Sequence, residues 1–146
     1  MKVKTRETLL NWILLLLPFI ALVLEVMPSG AVLIFQSAPP SEPIRKTYSY
    51  FSFMTFGNAN FGPLLTGVLT IVLTLLLITY LISKQIKVLY VVVIVSFISV
   101  VTSLFLLTLG INFYSLIGLF ISLILIIEAI FALYLYRTLV KKPTLG

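Results

Sequence analysis

The chain has 146 residues, of which 61% are hydrophobic and 10% charged, and its formal net charge is +6. Soluble domains sit near about 45–50% apolar and about 25% charged, so the composition excludes a water-soluble globule and implies an integral membrane protein. Cys and His are absent and every acid is a Glu, which excludes disulfides, thiolate or imidazole metal sites and Ser-His-Asp chemistry.

A basic segment, Lys2, Lys4 and Arg6, precedes the first apolar run, and a span is expected over 8–27. The basic start and apolar middle also fit a signal peptide, but Glu25 and the lack of an A-x-A site favour a retained helix. Asn11, Leu14, Pro18, Ala21 and Glu25 fall on one face at 3/4 spacing, and that face should point into a bundle.

Residues 28–62 read as an outer loop. Pro28, Pro39, Pro40 and Pro43 exclude a continuous helix, while 31–36 and 47–54 are rich in strand-prone residues. A short β-hairpin closed by the Pro-rich turn is expected. The aromatics Tyr48, Tyr50, Phe51, Phe53, Phe56 and Phe61 read either as a headgroup belt or as a contact surface for a partner or apolar ligand. Gly57, Asn58, Asn60 and Gly62 suit turns, with Asn60 placed to cap the next helix.

The second span is expected over 63–82, with Pro63 in its first turn and Gly67, Thr70 and Thr74 along one side beside Thr66. The stretch Val88–Tyr136 carries one charge in 49 residues. As one helix it would reach roughly 73 Å, against a hydrocarbon core of about 30 Å, so it must fold back on itself. The break falls at Gly110-Ile111-Asn112, giving spans over 88–109 and 115–136. Ser96, Ser99 and Ser103 form a stripe on the third; Ser115, Gly118, Ser122, Ala129 and Ala132 form one on the fourth. The expected fold is thus an all-α, four-transmembrane-helix bundle in a single membrane domain, 1–146, with an ordered outer loop between helices 1 and 2.

Eight of the ten Lys and Arg flank one side of these spans, and only Arg45 and Lys46 lie on the other. The positive-inside rule therefore puts both termini in the cytoplasm of a multi-pass cell-membrane protein. The same placement reads the charge as orientation and anionic-lipid contact, with no nucleic-acid partner.

Glu128 and Glu25 are the residues that orientation cannot explain. A carboxylate in hydrocarbon costs a few kcal/mol, so each marks a candidate functional position. Glu25 is expected near the outer end of its helix, within reach of headgroup water, Arg45 or Lys46. Glu128 is expected deep in helix 4, about 15 Å from Glu25 in depth, hydrogen-bonded to Asn11 or to the hydroxyl rows of helices 2 and 3. Three functions follow. The chain is an accessory or structural subunit meeting another membrane protein or its own copies through helix and outer-loop contacts. Alternatively it is a small proton- or cation-coupled transporter using Glu128, or it binds lipid or an apolar ligand. No metal or cofactor is expected, and no nucleophile–base–orienter set points to an enzyme.

The segment Tyr48-Ser49-Tyr50-Phe51-Ser52, followed by Phe56-Gly57-Asn58-Ala59-Asn60-Phe61-Gly62-Pro63, resembles small four-span bacterial integral membrane proteins. The resemblance implies the architecture and no activity.

Overall fold

The computed structural model describes residues 2–35, 42–52 and 58–141. Four helices carry the fold: α1 (Lys2–Val26), α2 (Asn58–Ser83), α3 (Ile86–Leu104) and α4 (Leu116–Val140). A hairpin of β1 (Ala31–Phe35) and β2 (Ile44–Tyr48) joins α1 to α2, and two 3₁₀ turns, Phe105–Leu109 and Ile111–Phe113, join α3 to α4. Each of the four helices contains a stretch long and apolar enough to cross a membrane.

The helices pack as a closed ring in which α1 and α3 each touch both α2 and α4. Leu14, Ala21, Leu73, Leu77, Leu89, Val92, Ile121 and Leu125 fill the interior. Trp12, Phe19, Leu75, Val101 and Ile130 remain exposed on the outer faces, as expected where lipid replaces water. The Thr66 and Thr102 hydroxyls meet at 2.9 Å, which pairs the start of α2 with the end of α3. Gly30, just past α1, meets Ser115 at the start of α4. The start of α1 and the end of α4 therefore lie at one end of the bundle and the hairpin at the other.

Local chemistry explains the joints. Ser115 caps α4 by accepting from the Gly118 N–H at 2.7 Å. Gly110 turns the chain between the two 3₁₀ segments at φ 121° and ψ 153°, a region essentially reserved for glycine. Lys84 closes α2 in the left-handed conformation at φ 53°, its N–H bonded to Tyr80 O at 2.8 Å. That cap allows a link of only two residues before α3.

Three boundaries differ from expectation. First, α2 starts at Asn58, so Asn58, Asn60 and Gly62 are helical and Pro63 lies in the second turn. Asn60 therefore caps nothing, and the loop is shorter than 28–62. Tertiary contact overrides turn propensity here, because Gly62 is buried against Phe105 and the Thr102 carbonyl. Second, the outer strand is 44–48, not 47–54. It pairs antiparallel with β1, from Ala31 opposite Tyr48 to Phe35 opposite Ile44. After Tyr48 the chain leaves the sheet, because the Tyr50 N–H bonds to Glu25 O at 2.9 Å. Third, regular α-helix in the third span stops at Leu104, and 105–109 tightens to 3₁₀.

The hairpin is two-faced. Ala31, Val32 and Leu33 are buried, whereas Arg45, Lys46 and Thr47 on β2 are exposed. An isolated hairpin is marginal; this one is held by packing β1 onto the bundle.

Candidate functional site

The polar side chains of the interior form ties between neighbouring helices. Thr66 joins α2 to α3 through Thr102. The hydroxyl of Thr70, one turn further along α2, lies 2.8 Å from Glu25 Oε1 and so joins α1 to α2. Ser96 lies 3.1 Å from Glu128 Oε1 and joins α3 to α4. Both glutamates are fully buried, and the second oxygen of each, Oε2, is buried without a hydrogen-bond partner.

The register of these ties fixes the depths. Since Thr66 faces Thr102, Thr70 is level with about residue 98 of α3 by antiparallel counting at about 1.5 Å per residue. Ser96 lies only about 3 Å below that level and meets Glu128. The two carboxyls therefore sit within about one helical turn of each other in depth, on opposite seams of the ring. This replaces the expected separation of about 15 Å. The expectation measured each acid from the outer end of its own helix. In the structure Glu25 lies twelve positions into α2's length, at the level of Thr70.

Proton counting constrains both pairs. The Ser96 hydroxyl has one proton and donates to Val92 O at 2.7 Å. The Thr70 hydroxyl has one as well, and lies 2.9 Å from Thr66 O. A carboxyl bringing its own proton satisfies both contacts of its hydroxyl, and it avoids the cost of a bare charge in hydrocarbon.

Other expected positions separate from this site. Asn11 does not meet Glu128; it lies roughly 21 Å along α1 from Glu25, with Oδ1 buried and unpartnered. Arg45 does not meet Glu25 either. It is exposed and its guanidinium reaches Tyr114 O at 3.5 Å. Glu25 is fully buried, and its hydrogen-bond partner is Thr70 rather than a loop cation.

Among the described residues, the aromatics do not form one surface. Tyr50 is 1% exposed, its ring against Gly30 and its hydroxyl beside Gly118. Phe51 packs on α2 at Gly67, where any Cβ would fall 2.8 Å from the ring. Tyr48 is half-buried, and Phe61 projects outward from α2, 64% exposed. Phe53 and Phe56 lie outside the described residues. Burial pushes the Tyr50 phenol well above the usual tyrosine range. Burial raises Tyr114 too, against the opposing effect of its hydrogen bond to Ser122. Tyr114 also donates to Ser103 O at 3.3 Å, tying the α3–α4 joint.

Sequence reasoning offered the hydroxyl row of the third helix, Ser96 among it, as a partner of Glu128, and Ser96 is that partner; it missed Thr70 as the partner of Glu25. No local signal gives a pairing across 45 or 32 residues. Among the described residues, no group of acids could hold a metal ion. No family model, curated protein or solved structure matches the chain.

Proposed function

We propose that the chain is a small proton- or cation-coupled membrane carrier working through Glu25 and Glu128. The observation that supports this is the spare oxygen on each carboxyl, buried and unpartnered at nearly the same depth. A structural tie does not need a carboxyl, since Thr66 and Thr102 join two helices with hydroxyls alone. Two carboxyls each carrying an idle oxygen are costly as rivets, and a buried unpartnered oxygen on an intramembrane acid favours a functional role. The ring closes over both acids, so this reading assigns the structure to the occluded state and requires α1 or the hairpin to move during a cycle.

The test is flux into proteoliposomes with an imposed pH gradient and an entrapped pH dye. Wild type should collapse the gradient faster than empty vesicles, and Glu128→Gln should abolish the excess. Wild-type flux equal to that of empty vesicles would sink the proposal.

A second reading, an accessory or structural subunit, is favoured by the Oε1 contacts, which bind α1 to α2 and α4 to α3. It expects Glu128→Leu to lose a co-purifying membrane partner while Glu128→Gln keeps it, with no flux in either.

In both readings the protein resides in the cell membrane with both termini cytoplasmic, on the eight-to-two distribution of Lys and Arg. Reporters fused at each terminus and active only in the cytoplasm should both be active; a silent C-terminal fusion beside an active N-terminal one would contradict the topology.

A further inference from the structure

Each buried carboxyl has few oxygens with which to hold an ion. Glu25 brings its own two and the Thr70 hydroxyl; Glu128 brings its own two and the Ser96 hydroxyl. The next hydroxyls along these rows, Thr66, Thr74 and Ser99, are about 4–6 Å further along their helices and bond carbonyls there. A metal cation needs more. Divalent Mg and Ca take about six or more oxygens, and an alkali ion inside protein has its hydration shell replaced by oxygens. The two acids stand on opposite seams and cannot pool theirs.

A proton needs less: one oxygen to bind it and one acceptor beside that oxygen. Each seam has both. The Ser96 hydroxyl donates to Val92 O at 2.7 Å, which leaves its lone pairs 3.1 Å from Glu128 Oε1. The Thr70 hydroxyl has one proton for two contacts, 2.9 Å to Thr66 O and 2.8 Å to Glu25 Oε1. A carboxyl O–H is the missing donor in each.

Charge points the same way. Residues 8–24, 47–83 and 88–127 carry no charged side chain, so a bare carboxylate would lack a counter-charge from these segments. The nearest titratable side chains on the packed elements are phenols. Tyr50 donates its N–H to Glu25 O, Tyr80 is ten residues along α2 from Thr70, Tyr90 is six before Ser96, and Tyr134 is six after Glu128. Tyr90 and Tyr134 are exposed on the outer faces. Lys84, Lys87 and Arg137 follow only toward the end of the bundle where α1 starts and α4 stops.

We infer that the ion held at Glu25 and Glu128 is the proton, bound as the neutral carboxylic acid, to the exclusion of alkali and divalent cations. This deepens the carrier reading and rests on it only for the claim that the bound proton is also the one transported. Loading takes a proton from hydronium and forms one O–H bond on a carboxylate oxygen, leaving water and an uncharged seam. Unloading breaks that bond and returns the proton to water.

Infrared spectra of the full chain in vesicles at neutral pH read this directly. The carbonyl stretch of a protonated carboxyl should be present and should shift on exchange into heavy water. Glu25→Gln should remove one contribution to it and Glu128→Gln the other, while Glu7→Gln and Glu42→Gln leave it unchanged. Replacing choline by sodium, potassium or magnesium at constant ionic strength should not alter it, and this titration needs wild type alone. A band that falls as any of these cations rises would overturn the inference, and so would the absence of the band from wild type. Cation-driven flux in the same vesicles would then leave the carrier reading standing. A cation-insensitive band without proton flux would do the reverse, keeping the proton on the acids and sinking the carrier reading.

Discussion

Thr70 carries more than its own packing. Its hydroxyl is the partner of Glu25 Oε1, and Oε2 has none. Thr70→Val keeps shape and burial but leaves the whole carboxyl unpartnered, which should cost about 1–3 kcal/mol of stability. Ser96→Ala should do the same to Glu128, whose tie it supplies. The control is Thr79→Val, because the Thr79 hydroxyl is exposed and bonds only its own helix at Leu75 O. Denaturant titration in mixed micelles measures all three. Equal effects of Thr70→Val and Thr79→Val would show that the Glu25 tie contributes nothing. At this scale the sequence revealed which residues were costly and which faces were polar, since a Glu in an apolar run and a Thr every fourth residue are visible directly. It could not reveal which hydroxyl meets which acid. Glu25 and Thr70 are 45 positions apart, and their meeting depends on where α1 stops relative to α2.

Where helices stop is decided between elements. The apolar runs located all four helices, because a membrane-spanning run is a long-range average that one residue does not disturb. The ends were less legible. Asn58, Asn60 and Gly62 carry turn chemistry, yet α2 begins at Asn58 because Gly62 lets Phe105 and the Thr102 carbonyl approach closely. The second strand shifted to 44–48 because the Glu25 carbonyl captures the Tyr50 N–H. The break at Gly110 was legible, since no other residue type adopts its conformation readily. Gly110→Ala should therefore destabilise the bundle by about 1–3 kcal/mol, the usual cost of such backbone strain. Thermal unfolding in detergent checks this, and an unchanged midpoint would mean that the α3–α4 joint relaxes without cost.

For the whole molecule, the depth of the acids follows from one asymmetry. The helix α1 ends while α2 continues past it, so an acid one residue from the end of α1 lies level with mid-bundle hydroxyls. The hairpin is seated on the bundle: Ala31, Val32 and Leu33 of β1 are buried, β2 faces outward, and Tyr50 and Phe51 anchor the return of the chain at Gly30 and Gly67. The resulting bundle is polar inside only along its seams and apolar outside. The central claim is that Glu25 and Glu128 act as one pair. The most direct measurement is gradient-driven flux in proteoliposomes for Glu25→Gln, Glu128→Gln and the double variant. Each single variant should lose nearly all of the wild-type flux and the double variant no more than either, as expected for residues that work as a unit. Wild-type flux in either single variant would contradict the account.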